Sequence, residues 1–439
     1  MTIKNTPILL FLLIASAAFA QPVMDLQECL RIGLENNYDL RIVRNEELIS
    51  DNNVTLGNAG FLPQVSLNSG YNLRSNNADQ YPVNGEGTIE TRNSNTQTLD
   101  AGLNLNWTLF EGFRIQTNYK RLKELQSIGE LNTRLAVEGF VADLTAEYYN
   151  YVQQQIRLGN LQYAVSLSKE RLRIVEARYQ VGSLSQLDLQ QARVYFNADS
   201  SLLIQQYETL NSSRIRLNEL MGGDVEQHFL AKDTTILFDA DLSKEELFNQ
   251  AMQHNTSLLL SGKNKTLSEL DLKNLRSHNY PYLRMNAGYG FTHYDYNTGT
   301  LDRQRTWGPS VGVTLGYTIF DGFNRKREQK NAEITVQNRE LQVQRNKLWL
   351  ESDFANMWLS YQNNIELTNL ERESLHNAKV NYEIAMERYK IGDLSGLELR
   401  EAQNSLLEAE QRLLTAQYRT KLYEISLLQI SGKIGEYLE

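Results

Sequence analysis

The sequence predicts a mainly α fold joined to a membrane β-barrel. It is written as two tandem structural repeats, each running helix, strand, strand, long helix, helix. Three observations predict this. Phrases recur at one offset: RYQVGSLSQLDLQQA at 178–192 returns as RYKIGDLSGLELREA at 388–402, and WTLFEGF at 107–113 returns as YTIFDGF at 317–323, both 210 positions on. Four segments of about ten residues or longer alternate apolar and polar side chains, the period of a strand with two unlike faces. After each pair of such segments comes a Pro-free helical stretch, from about Phe113 to Tyr179 and from about Phe323 to Tyr389.

Taken in order, residues 1–20 (MTIKNTPILLFLLIASAAFA) carry one Lys, an apolar run from Ile8 to Ile14 and a small-residue Ala18-Phe19-Ala20 site. This is the pattern of a secretory signal peptide. Gln21 rather than Cys follows, so nothing suggests a lipid on the mature N-terminus. The first repeat then spans 21–222 and the second 244–439, joined by a linker at 223–243. A helix of apolar 3.6-residue period opens each repeat, at about 25–58 and 243–277. Strands follow at about 62–73 and 99–112, and at about 281–291 and 309–322. In the first, Val65, Leu67, Tyr71 and Leu73 share one face and Gln64, Ser66, Asn68 and Asn72 the other. LENN at 34–37 and LPQVSLNSGYNL at 62–73 match MQHN at 252–255 and YPYLRMNAGYGF at 280–291, 218 positions on. The first repeat therefore holds eight extra residues between Leu73 and Trp107. Polar loops are expected at about 74–98 and 292–306, where insertions are tolerated. Helical hairpins close the repeats at 113–222 and 323–432. At 1.5 Å per residue, the long helix of each is a rod of roughly 100 Å that must pack along its length.

An ordinary soluble sandwich could use the same alternation. Against it, the strands are long enough to cross a bilayer at a tilt. Their polar faces carry Asn, Gly, Ser and Thr, and aromatic residues such as Trp107, Phe110, Phe113, Trp307, Tyr317 and Phe323 gather near the strand ends, as in interfacial girdles. Four strands cannot close a membrane barrel, for which eight is the minimum, and open edges are not tolerated in lipid. Strands that span therefore require a homo-oligomer: two copies supply eight and three supply twelve. Outside residues 1–20 no apolar run reaches the length of a membrane-crossing helix.

The formal charge of −9, or −10 without the signal segment, argues against nonspecific nucleic-acid binding. The single Cys29, set among Leu26, Leu30 and Ile32, cannot form an internal disulfide and suits a buried helix position. The five His residues, at 228, 254, 278, 293 and 376, have no ligand spacing, and no phosphate-binding Gly loop is present. Neither an enzyme nor a metal or organic cofactor is expected.

The repeated phrase sits where each long helix turns back. Gly182 and Gly392 are placed to end the incoming helix in a left-handed conformation. Ser185 and Ser395 are placed to cap the outgoing one, with Asp188 and Glu398 at capping-box spacing.

DLQECLRIGLENNYDL at 25–40, FLPQVSL, YPYLRM, the W/Y-T-x-F-[DE]-G-F strand ends and the twin RYxxGxLSxLxL tips resemble the TolC family of outer-membrane efflux proteins across nearly the whole mature chain. The resemblance implies a trimer with a 12-stranded barrel in the outer membrane of a Gram-negative bacterium and a 12-helix periplasmic α-barrel, with the linker at its equator. It implies passive conduction of small molecules in partnership with a periplasmic adaptor protein and an inner-membrane pump. The tips become the adaptor-docking surface, through Tyr179, Val181, Gly182, Leu184 and Ser185 in the first repeat and Tyr389, Ile391, Gly392, Leu394 and Ser395 in the second. The periplasmic entrance falls on Tyr389, Glu398, Glu401 and Asp188. For Glu398 the capping box is an equal explanation; Glu401, matched by Gln191, is not needed by the fold. Leu394 departs from members that lock the closed tip with an Arg there. Two readings stay open beside this one: a duct for secreted polypeptides, and a periplasmic coiled-coil protein whose strands pair in water.

Overall fold

The computed structural model describes residues 22–83, 85, 87–299 and 301–438, so the signal-peptide expectation lies outside the described residues. The chain forms two compact units that cut across the repeats, each taking residues from both.

The unit of Asp39–Val137 and Phe248–Phe354 holds the strands. With β1 and β4 assigned to a two-residue pair at Val23–Met24 and Leu230–Ala231, the four long strands are β2 (Gln64–Gln80), β3 (Ile89–Glu111), β5 (Tyr282–Tyr296) and β6 (Arg303–Gly316). They make one antiparallel sheet in the order β2-β3-β5-β6. Leu67 pairs with Leu103, Leu103 with Tyr289 and Ala287 with Val311, so the apolar positions of neighbouring strands share a face. That face is uncovered: Val65, Leu67, Tyr71, Leu103, Tyr289, Val311, Val313 and Leu315 are all exposed. A soluble sandwich would bury them against a second sheet.

The strand limits differ from the sequence expectation in two ways. First, residues 74–80 and 89–98 continue the β2–β3 ladder as far as Gln80↔Ile89, β5 runs on to Tyr296, and β6 opens at Arg303 rather than near 309. These segments are polar on both faces and paired through backbone, so no alternation marked them as strand. Second, β6 stops at Gly316 rather than near 322. Gly316 pairs with Tyr282, the first residue of β5, and among the described residues of one chain no strand pairs with 317–322. The β3 counterpart at 107–111 keeps β5 as its partner.

Backbone detail repeats with the sequence. Gly112 and Gly322 are left-handed, and so are Phe113 (φ 67°) and Phe323 (φ 64°), a conformation that costs a bulky residue. Each Phe packs edge-on against the Phe three residues earlier, Phe110 and Phe320, with ring centres at 5.3 and 5.4 Å.

The opening helices are broken where one continuous helix was expected. The first divides into α1 (Leu26–Asn36), α2 (Tyr38–Asn52) and α3 (Leu56–Ala59), and the second into α6 (Lys244–His254) and α7 (Thr256–Ser277). The breaks fall on Asn37 and Asn255, the last residues of LENN and MQHN, both at extended ψ (126° and 117°). Asn255 caps α7 by accepting from the Leu258 N–H at 3.0 Å, and Asn37 donates its amide to Leu220 O at 2.9 Å. A side chain that competes for backbone bonds ends the helix in each repeat.

The other unit comprises residues up to Tyr38, Glu138–Leu247 and residues from Ala355 onwards, and is helical. Its main elements come from α4 (Arg114–Gln180), α5 (Gln186–Met221), α8 (Asn324–Ile391) and α9 (Gly396–Ile430). Buried positions follow alternating steps of three and four: Ala164, Ser168, Arg171 and Val175 on α4, and Leu399, Ala402, Leu406 and Ala409 on α9. That stripe buries against partner helices along its length. The linker is bound down. Leu230–Ala231 pairs in parallel with Val23–Met24, Tyr151 donates to Phe229 O at 2.6 Å, and Asn218 donates to Gln227 O at 2.8 Å. Tyr361 donates to Asp239 O, while the Asp239 N–H donates to Glu424, a buried carboxylate also held by Lys421 and Tyr437. Cys29 is fully buried, and its thiol is pushed up to about 12 by burial and by the carboxylates of Asp25 and Glu28. Among the described residues, no helix is long and apolar enough to cross a membrane.

Candidate functional site: the hairpin tips

Both turns follow one plan. Gly182 (φ 76°) and Gly392 (φ 85°) are left-handed, and the N–H groups of Ser183 and Asp393 return to Arg178 O and Arg388 O at 2.8 and 2.9 Å. This closes each incoming helix. Ser185 and Ser395 then cap α5 and α9 in complete capping boxes. Asp188 accepts from the Ser185 N–H and Glu398 from the Ser395 N–H, each at 3.0 Å. For Asp188, hydrogen bonds from the Ser185 side chain and then its backbone hold the carboxyl below its ordinary range; for Glu398 the Ser395 backbone comes first.

Tyr389 and Tyr179 occupy equivalent positions with unlike fates. Tyr389 is 3% exposed and Tyr179 40%. Tyr389 belongs to a cluster with Val175, Leu189, Ala192, Tyr382, Ala385, Leu399, Ala402 and Leu406, drawn from all four helices, which zips hairpin to hairpin. Burial raises its hydroxyl above the ordinary range. Arg178 covers its ring at 5.3 Å and donates to Tyr389 O at 3.2 Å and Lys390 O at 2.9 Å, the carbonyls that end α8. The equivalent Arg388 stays in its own turn, on Asp393 at 2.9 Å. Arg178 thus reaches across the hairpins where Leu394 cannot.

Of the expected entrance residues, Tyr389 and Asp188 line one groove without a hydrogen bond between them. Glu398 is committed to its cap. Glu401 is exposed, and among the described residues nothing pairs with it. Of the docking residues, Val181, Gly182, Ser185, Ile391, Gly392 and Ser395 are exposed, and Leu184 and Leu394 are half-buried against the cluster. Among the described residues, no group of three or more His, Cys, Asp or Glu could hold a metal ion.

One feature of the tips escaped the sequence reading. Arg400 of α9 donates two bonds to Asp199 of α5, at 2.7 and 2.8 Å; Asp199 is buried and Arg400 largely so. Ser168 of α4 also donates to Asp199, and Gln403 donates to Ser168 Oγ at 3.1 Å. Tyr195 lies between two cations, with Arg171 at 5.2 Å and Arg400 at 5.1 Å from its ring centre. A signal existed: the residues 210 positions away are Ala409 for Asp199 and Gln190 for Arg400, so the repeats diverge at the pair.

The family profile described as "Outer membrane efflux protein" matches residues 30–223 and 247–433. Outer membrane protein TolC of Vibrio cholerae serotype O1 is 22% identical over 441 residues, covering 97% of this chain and 93% of that protein. The crystal structure of the Campylobacter jejuni CmeC outer membrane channel superposes with a TM-score of 0.76 at 18% identity, over 93% of this chain and 85% of that one. The outer membrane protein VceC of Vibrio cholerae gives 0.75 at 14%, over 93% and 96%. The duplicated sequence, the four-stranded sheet and the paired hairpins are therefore those of the outer membrane efflux protein family, to which this chain belongs.

Proposed function

We propose that this chain is the outer-membrane channel of a tripartite efflux system, conducting small molecules passively outward from an inner-membrane pump and a periplasmic adaptor. The observation that carries the reading is the sheet: four strands, an exposed apolar face and two open edges, β2 and β6, on a chain of this family. In lipid such edges must be paired. Three copies supply the twelve strands of a closed barrel, and their four long helices each supply a twelve-helix tunnel. In this assembly the tips form the periplasmic entrance and receive the adaptor, with Glu401 facing the passage. The linker at 223–243 encircles the tunnel as an equatorial belt, bound to both hairpins as described.

Single-channel conductance of the detergent-purified mature protein in a planar bilayer, with its mass measured in parallel, tests the reading. Discrete steps from a trimer are expected. A water-soluble monomer without conductance would overturn it in favour of a coiled-coil protein of the periplasm.

A further inference from the structure

The tips enclose a groove of about 600 Å³, lined by Arg171, Arg178 and Asp188 among its polar residues and by Tyr195 and Tyr389 among its rings. Two of the three charged groups are spent. Arg178 serves the carbonyls that end α8, and Asp188 serves its capping box. Arg171 is different. It is 3% exposed, its Nη1 donates to Gln403 Oε1 at 3.3 Å, and its Nε and Nη2 have no hydrogen-bond partner among the described residues.

Charge is unbalanced at the same place. Arg171 and Arg400 share one buried carboxylate, Asp199, and Arg400 holds it with both of its terminal nitrogens. A buried cation without its own counter-ion, and with two idle donors, is costly. Desolvation, followed by the Arg400 charge, lowers the Arg171 pKa accordingly. The Tyr382 hydroxyl, which feels the Arg171 charge, is also buried without a partner among the described residues.

The idle edge has a known complement in this chain. Arg31 uses Nε and Nη2 to hold both oxygens of Glu28 at 3.0 and 2.7 Å, and Arg173 uses the same pair to hold Glu170 at 2.8 and 2.6 Å. That edge of a guanidinium matches a planar carboxylate. We propose that the groove between the hairpin tips is a carboxylate-binding site, with the Nε and Nη2 of Arg171 as its bidentate donor. The edge is shielded in this conformation, so the ligand gains it by displacing a groove side chain. The carboxylate is supplied either by an acidic side chain of a docked protein or by a free solute.

The test uses the full-length protein in detergent, following its melting temperature. Sodium glutarate is titrated against sodium chloride at equal ionic strength. The peptide N-acetyl-Gly-Glu-Gly-amide is titrated against its Gln counterpart. Wild type, Arg171→Met and Arg173→Met are compared. A saturable rise of a few degrees with glutarate or the Glu peptide is expected, absent with chloride and the Gln peptide, retained in Arg173→Met and lost in Arg171→Met. Saturation at lower concentration by the Glu peptide assigns the site to a side chain, and the reverse order assigns it to a solute. No carboxylate-specific rise in wild type, or an undiminished rise in Arg171→Met, overturns the proposal. If Arg171→Met does not fold, the wild-type comparison of carboxylate with chloride decides. Conductance plays no part in this readout, so failure here leaves the channel reading to its own test.

Discussion

Asp199 of α5 and Arg400 of α9 form a two-bonded ion pair across the hairpins, with their side chains 2% and 12% exposed. The pair fixes α5 against α9 beside the tip cluster. Removing one member of such a pair is far more damaging than replacing both, because the survivor is left charged and dry. Asp199→Ala, which copies Ala409 of the second repeat, strands two guanidiniums and removes the acceptor of Ser168. It should destabilise the hairpin pair by about 3–5 kcal/mol. The double variant Asp199→Leu with Arg400→Met should recover most of that loss. Denaturation of both variants alongside wild type checks it, and equal losses in the two would refute the ion-pair account.

Gly182 and Gly392 have open space where a Cβ would stand, so replacement by Ala is opposed by backbone conformation alone. Each substitution should cost about 1–2 kcal/mol and loosen the last turn of α4 or α8, read as faster amide exchange at Ser183 or Asp393. Gly112 is a contrasting case. It is left-handed too, but a Cβ there would stand 2.2 Å from Ser277 O. Gly112→Ala should be the most disruptive of the three in the same denaturation assay.

The duplication made much of this fold legible. Strands, turns and capping boxes are local and were written twice, so each repeat corroborated the other. The helix breaks at Asn37 and Asn255 were visible as matched phrases, yet apolar periodicity runs through both, and only backbone bonding separates the pieces. The ribbon at 74–80 and 89–98 was hidden because a strand with two polar faces has no period to detect. The end of β6 depends on whether a partner strand lies beside it, which no local pattern records. Nothing local in the sequence marks Asp199, Arg171 and Arg400 as paired, since one polar residue on an apolar stripe does not name its partner. Comparing the repeats position by position for polar-to-apolar differences is the reading that finds Asp199 opposite Ala409.

Both capping carboxylates titrate below their ordinary values, 3.8 for Asp188 and 4.5 for Glu398. A carboxylate with a depressed folded pKa contributes stability above its unfolded value and loses it as pH falls through the folded one. The first turn of α5 should therefore keep full amide protection at neutral pH and lose it progressively below about pH 3.8, and that of α9 below about pH 4.5. In Ser185→Ala and Ser395→Ala the depression should shrink and protection at neutral pH should already be weaker. Protection independent of pH down to the acid limit in wild type would show that the boxes contribute nothing to the tips.

Glu398 and Glu401 lie on the same turn of α9 but differ in what holds them. Glu398 is bound by the Ser395 backbone, whereas Glu401 is exposed and unpaired among the described residues. If Glu401 faces the passage, Glu401→Gln removes one negative charge per copy from the entrance without touching a hydrogen bond. Cation preference should then fall, seen as a reversal potential closer to zero under a salt gradient, with the melting temperature unchanged. Glu398→Gln should lower the melting temperature, because it replaces a charged cap by a neutral one. Salt separates the two effects further: charge at the entrance is screened within about 10 Å at 0.1 M. The Glu401 effect should therefore be largest in dilute electrolyte and fade as salt rises, while the loss of the Glu398 cap persists. A Glu401→Gln channel with wild-type selectivity at low salt would remove Glu401 from the passage and leave it as a solvated helix residue.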